Sequence, residues 1–163
     1  MTQRERYITL YEHEKDCNQK MLTMLESVPS TERGDPRFQQ AVTLAEHMAA
    51  CRENWLSHMD GKGENQVAWW NDACDISTLR PRLAALESQW ADYLAHVTEA
   101  RLAEEFEFTE LDGETYRVPI EVQIEQLFGH AAYHRGQISL LVDQLGGKTV
   151  EMDYVDWWWA RQN

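Results

Sequence analysis

The amino-acid sequence predicts an all-α fold, a four-helix bundle with a small β-hairpin before its last helix. Three observations support this prediction. Four long stretches repeat apolar residues at steps of three and four, prolines and glycines stand at their ends, and one short segment alternates apolar and polar residues. Because 163 residues suit one compact domain, we expect a single helical-bundle domain over residues 1–163.

The first two helices are separated by a turn that is rich in helix-breaking residues. The first is predicted to run from about Thr2 to Val28, where Pro29 stops it. The second begins at Pro36, a residue tolerated in the first helical turn, and ends at Gly61 and Gly63. Both carry an apolar face, so we expect both to pack against the core.

A long connection from Lys62 to Asp75 follows, and it shows no periodicity. The third helix is predicted from about Thr78 to Leu102, with Ser77 as its cap and Pro81 in its first turn. Because the link is long, the second and third helices need not be neighbours joined as a hairpin.

Within the segment from Glu105 to Val118, apolar and polar residues alternate instead of recurring at helical steps. This pattern predicts a hairpin that turns at Asp112-Gly113. Pro119 then opens the last helix, which runs to about Leu145 and is closed by Gly146-Gly147. The aromatic tail beyond it contains Tyr154, Trp157, Trp158 and Trp159, and it would expose much apolar surface if it did not pack against other residues. We expect it to pack on the bundle or on a second subunit.

Composition narrows the classes of partner. Fifteen Lys and Arg against 28 Asp and Glu leave a net charge of -13, which repels phosphate backbones and anionic lipids, so we expect no nucleic acid and no membrane as partner. No stretch approaches the roughly 18 apolar residues of a membrane span. The three cysteines, an odd number, suggest a reducing compartment, and we expect a cytoplasmic protein.

Two histidines of the last helix have the spacing of metal ligands. His130 and His134 are four positions apart, so their rings project from the same helix face, and the apolar residues around them turn that face inwards. His47 lies on a similar inward seam of the second helix, about midway along it. We therefore predict that the three imidazoles hold one divalent metal and leave positions open for water or substrate.

Each histidine taken singly is more often an ordinary core or surface residue, and a bare H-x-x-x-H spacing is common. The prediction of a metal site therefore depends on all three histidines meeting at one place. We assign no role to His13, His58 or His96.

The residues after His130 carry a specific resemblance. The run His-Ala-Ala-Tyr-His-Arg-Gly-Gln at 130–137 resembles the N-H-x-x-x-H-R-G-Q signature of the DinB/YfiT-like family of metalloenzymes. His47 with Trp55 and Leu56 is similar to that family's H-x7-W-L segment, and residues 153–158 are similar to the closing T-D-Y-I-D-W-W of one branch. The chain departs from the pattern at Gly129, where Asn is common, and at Gln126, where another His is often seen.

The resemblance implies a four-helix bundle with up-down-down-up connections. It also implies a metal held by His47, His130 and His134, and frequently a homodimer. Three imidazoles accommodate zinc, nickel or iron, as well as cobalt or copper, so the sequence does not choose the metal.

Two chemistries follow from such a site. Metal hydroxide would make the protein a hydrolase, whereas a metal-bound low-molecular-weight thiol would make it a thiol S-transferase acting on a small electrophile. The resemblance favours the second, with bacillithiol, mycothiol or glutathione as the thiol. A non-catalytic metal-binding stress-response protein is the third hypothesis. No residue is identified as acid or base; Glu46, Glu53, Glu121 and Glu125 lie near the right helices.

Three residues beside His134 have separate interpretations. Gly136 costs about 1 kcal/mol in mid-helix, so we expect another helix to approach it closely. Gln137 is predicted either to support a ligand histidine or metal-bound water, or to make an ordinary buried amide contact. Arg135 is expected to pair with an acid rather than to anchor substrate.

Overall fold

The computed structural model describes residues 1–61, 67–109 and 113–162. This part of the chain is mostly helical and contains six helices and one two-stranded antiparallel hairpin. In chain order the elements are α1 (Gln3–Ser27), α2 (Pro36–Met59), α3 (Ile76–His96), α4 (Glu99–Leu102), β1 (Glu105–Thr109), β2 (Thr115–Pro119), α5 (Ile120–Gln144) and α6 (Tyr154–Ala160). The prediction of a helical fold with a hairpin before its last long helix is confirmed.

Local capping explains where the first two helices begin. At α1 the hydroxyl of Thr2 accepts from the Glu5 N–H while the Glu5 carboxylate accepts from the Thr2 N–H, which forms a capping box. At α2 the Asp35 carboxylate accepts from the Arg37 N–H, and Pro36 occupies the first turn. Both starts lie within a residue of the predicted ones.

The third helix differs from its prediction at both ends. Asp75, rather than Ser77, is the cap: its carboxylate accepts from the Ser77 N–H at 2.8 Å. Helix α3 therefore begins earlier, and Pro81 lies inside it, beyond the first turn. At the other end Val97 is extended, and Thr98 caps the separate short helix α4. The predicted end at Leu102 was wrong because a second capping residue restarts the helix.

The hairpin pairs β1 with β2 in an antiparallel register, with Phe106 opposite Val118 and Phe108 opposite Tyr116. Of the predicted turn, Asp112 lies outside the described residues. Lys62, where the connection from α2 to α3 was predicted to begin, and the predicted helix end Gly63 also lie outside them. Gly113 adopts a φ of +88°, a conformation that suits glycine.

The long helices pack in four pairs. Helix α2 contacts α5 and α3, and α1 contacts the same two helices. The α2–α5 pair is the most extensive of these, and it brings the histidine of the second helix against the two histidines of the last one. Beneath them lies a buried ion pair, in which Arg52 Nε donates to Glu14 Oε1 at 2.8 Å and links α2 to α1.

The C-terminal aromatic segment packs on the body of the protein through one of its rings. Trp157 is buried, and its ring centroid lies 5.3 Å from that of His13 on α1. Trp158 and Trp159 remain exposed. Among the helices of the described residues, none combines the length and the apolar character that a bilayer crossing requires.

Candidate metal centre

Three imidazole rings meet between α2 and α5. The Nε2 atom of His130 lies 3.2 Å from Nε2 of His47 and 2.9 Å from Nε2 of His134. All three ligand atoms lie within 4.8 Å of one another. His47 and His134 are buried and His130 is half-buried. The convergence predicted from the sequence is therefore present.

These distances suit a shared metal ion. Zinc binds imidazole nitrogen at about 2.0–2.1 Å, so two nitrogens on the same tetrahedral ion stand about 3.3 Å apart. The nitrogen separations of 3.2 and 2.9 Å lie close to that value. The third pair, His47 and His134, has its ligand atoms within 4.8 Å, so the three residues could hold one ion, and a tetrahedral ion would keep one further position.

In two of the rings, a hydrogen bond at Nδ1 determines which ring nitrogen carries the proton. His47 Nδ1 donates to the backbone carbonyl of Trp69 at 2.6 Å, and His134 Nδ1 donates to Oε1 of Gln137 at 2.7 Å. Because a neutral imidazole carries one proton, the Nε2 lone pairs of both rings face the centre. This is the arrangement that metal-binding histidines usually have. It agrees with the first of the two interpretations of Gln137.

Burial favours the neutral form of His130 and His47. It lowers the pKa of His130 to about 4, with His134 and His47 adding to the effect, and it lowers the pKa of His47 as well. A ligand imidazole must be unprotonated. The local environment therefore favours the metal-binding form at neutral pH.

Two aromatic side chains border the centre. The indole of Trp70 lies flat against the His47 ring, with centroids 3.6 Å apart and planes 4° from parallel, and it is 52% exposed. On the α5 side, the ring of Tyr133 lies 5.2 Å from that of His134. Sequence reasoning assigned no role to Trp69 or Trp70. The only signal was a pair of tryptophans in a segment without periodicity.

Cys51 lies one helical turn from His47, with Sγ 3.5 Å from the Nε2 atom. Burial raises the pKa of its thiol to about 12. The thiol therefore stays protonated at neutral pH in the metal-free protein, in which form it is a poor nucleophile and a poor ligand.

The other histidines lie outside the centre. His13 Nε2 is 2.9 Å from the Met152 carbonyl oxygen and 3.2 Å from Sγ of Cys17. His96 is exposed and paired with Asp92, and His58 packs near Trp55.

The carboxylates that lie near these helices are engaged elsewhere. Glu46 and Glu53 both pair with Arg82 of α3. Glu125 accepts from the Tyr7 hydroxyl, and Glu121 accepts from the Gln3 amide. These contacts give none of the four a role as acid or base at the centre.

Two expectations about the last helix were wrong. A methyl group added to Gly136 would meet nothing within 4 Å in the described part of the chain, so no helix described there approaches it closely. Gly136 instead borders a surface cavity of about 340 Å³ that His13 and Arg135 also line. Arg135 is buried, and its Nη1 donates to Oδ1 of Asn18 rather than to an acid.

Comparison with known proteins agrees with this geometry. The family model described as the DinB family matches residues 1–163. No curated protein and no solved structure matches the chain. Since the family match covers the whole sequence, the chain belongs to the DinB family.

Proposed function

We propose that this protein binds one divalent transition metal (zinc, nickel or iron) through Nε2 of His47, His130 and His134, and that it is a metal-dependent thiol S-transferase acting on a small electrophile. The observation that carries the proposal is the spacing of the three Nε2 atoms, which suits the ligands of one tetrahedral ion.

Neutral ligands determine the chemistry. A divalent ion held by three imidazoles keeps its full charge and so lowers the pKa of a bound thiol or water. The protein's own part is to hold the rings in one tautomer, through the Trp69 carbonyl and the Gln137 amide, and to exclude water with the buried walls of α2 and α5.

The thiol is expected to come from a small molecule. Cys51 is the cysteine next to the centre, and burial keeps it protonated. In the proposed transfer the small thiol loses its proton to solvent, its sulfur forms a bond to an electrophilic carbon, and the leaving group departs with its electron pair. The half-exposed faces of Trp70 and Tyr133 offer flat apolar surfaces for that electrophile.

The same centre supports a second reaction class. If water rather than thiol occupies the open position, the protein is a metal-dependent hydrolase. A metal-binding stress-response protein without turnover is the remaining alternative. We also propose that the four long helices are connected up-down-down-up, and that the protein is a cytoplasmic homodimer, for which exposed aromatic residues of α6 are the support.

Metal content tests the proposal first. Untagged wild-type protein should contain about one divalent ion per chain by elemental analysis, and His134→Ala should lose most of it because one of three ligands is removed. The exposed histidine variant His96→Ala is the control and should keep its metal. Equal metal content in the wild type and both variants would contradict the proposed metal site.

Thiol binding tests the reaction class. The metal-loaded protein should be stabilised against heat by one of glutathione, bacillithiol or mycothiol, because a ligand that binds only the folded state raises the melting temperature. The metal-free protein is the control and should show no such shift. Stabilisation by none of them would favour hydrolysis or a role without turnover.

A further inference from the structure

A small cavity lies behind the metal centre, on the side of His130 that faces α1. Its volume is about 10 Å³, which is roughly what a single water molecule needs. The polar residues that line it are Glu14, Asn18, Arg52 and His130, and apolar side chains complete the wall. Buried cavities with several polar groups hold water, whereas apolar cavities stay empty.

The guanidinium of Arg52 is incompletely satisfied at this place. Arg52 is 6% exposed, and its Nε and Nη2 atoms bind the carboxylate of Glu14. Its Nη1 atom is buried and makes no hydrogen bond to any residue in the described part of the chain. Because leaving a buried donor without a hydrogen bond is unfavourable, Nη1 is expected to have a partner in the cavity.

His130 lines the same cavity. The other two imidazoles donate from Nδ1 to Trp69 and Gln137, but Nδ1 of His130 has no hydrogen-bond partner among the residues that the structure describes. Metal-binding histidines almost always donate a hydrogen bond from their second ring nitrogen, and a water molecule is often the acceptor. His130 is thus the one ring of the three whose outer support is still to be assigned.

We propose that one ordered water occupies this cavity and bridges Nη1 of Arg52 to Nδ1 of His130, which makes the Glu14–Arg52 pair the outer support of the third imidazole. The role as a ligand support rests on the proposed metal binding. The water accepts from Nη1, and the oxygens of Glu14 and Asn18 are available to accept from it.

Water suits this position because His130 must change its tautomer. With Nδ1 of His47 and His134 both protonated, the proton between the three Nε2 atoms of the metal-free protein belongs to His130. His130 Nδ1 is then an acceptor. When Nε2 binds a metal, the proton moves to Nδ1, which becomes a donor. A water can reverse its direction to serve both forms, whereas a fixed carbonyl or arginine cannot.

The test is a pair of high-resolution crystal structures, one metal-free and one zinc-loaded. We expect a water within hydrogen-bond distance of Arg52 Nη1 and His130 Nδ1 in both. Zinc at the three histidines without this water would overturn the inference and leave the proposed function standing. A zinc-treated crystal without zinc there would overturn the proposed function, and a water found in that crystal would then serve only the Arg52 donor.

Zinc affinity provides the second readout. Arg52→Met leaves Glu14 as an unpaired buried charge and could fail to fold, so the double variant Glu14→Leu/Arg52→Met is used, in which apolar groups replace the ion pair. We expect its zinc affinity to fall about ten-fold, the lower end for loss of an outer support. Glu26→Leu/Arg80→Met, which replaces an exposed ion pair between α1 and α3 in the same way, is the matched control and should keep wild-type affinity. Equal affinity in the double variant and wild type would overturn the inference.

Discussion

The side-chain amide of Gln137 holds one imidazole of the centre in a single orientation. Its Oε1 accepts from Nδ1 of His134 at 2.7 Å, and its Nε2 donates to the hydroxyl of Tyr133 at 3.4 Å. We predict that Gln137→Leu lowers zinc affinity about ten-fold, because the ring loses its acceptor and its fixed tautomer. Competition with a chromophoric chelator measures this effect.

A carboxylate at position 137 would also accept from Nδ1. Gln137→Glu should therefore retain the affinity that Gln137→Leu loses, which separates loss of the acceptor from loss of packing. If both variants lost affinity equally, the hydrogen bond would not be the cause.

The lowered pKa values of His130 and His47 predict how the metal-free protein responds to acid. In the unfolded chain these rings take up protons near pH 6.5, whereas folded His130 does so only near pH 4. Between these values the unfolded state binds more protons, so stability falls as pH decreases through this window and is fully present above pH 6.5. Urea unfolding of chelator-treated protein at several pH values would show it.

Comparison with His130→Gln isolates this contribution from the carboxylates. The variant lacks the imidazole, so its stability should fall less steeply between pH 6.5 and 4 than that of the wild type. Identical slopes would mean that His130 binds protons equally in both states.

At the scale of elements, the glycines of α5 and of the segment after it differ in what surrounds them. Among the residues that the structure describes, a Cβ at Gly136 would meet nothing within 4 Å, while a Cβ at Gly147 would lie 2.6 Å from Cγ1 of Val142. We predict that Gly136→Ala raises the free energy of unfolding by about 0.5–1 kcal/mol, because alanine favours the helix. Gly147→Ala should lower it by about 1–3 kcal/mol through overpacking. Chemical denaturation measures both; destabilisation by Gly136→Ala would indicate an unseen neighbour.

At this scale, the features that could be predicted from the sequence are those that depend on the periodicity of apolar residues. Apolar repeats identified the face of each long helix, and therefore the inward direction of His47, His130 and His134. They could not identify Trp69, because its contribution is a backbone carbonyl that has no side-chain pattern. The break at Val97 was missed for a related reason, since the residues of α4 continue a helical composition and only Thr98 marks the new cap.

The apolar periodicity also could not predict which side chains pair with one another across neighbouring helices. Arg52 could have been taken for a solvated residue, yet it is buried against Glu14 of α1, with its guanidinium 4.7 Å from the Trp90 ring centroid. Such a contact depends on which helices become neighbours, and that information comes from the three-dimensional packing alone.

At the scale of the whole molecule, the net charge of -13 sets the conditions for association. Two copies repel each other at low ionic strength, and about 1 M salt shortens the screening length to about 3 Å. Exposed apolar side chains oppose that repulsion. On α6, Val155 and Trp159 are each 65% exposed and stand four positions apart, so they project from the same side of the helix.

We predict that wild-type protein sediments as a dimer and that added salt strengthens the association, because screening removes repulsion while apolar contact remains. Val155→Glu should weaken the dimer, since it places a charge on the exposed face of α6 that is proposed to form the contact. Gln162→Glu adds the same charge at a position that is already polar, and it should leave the dimer intact. Sedimentation velocity at two salt concentrations distinguishes these outcomes. A monomer under all conditions would disprove the proposed homodimer, while equal weakening by both variants would show that net charge, and not the α6 face, controls association.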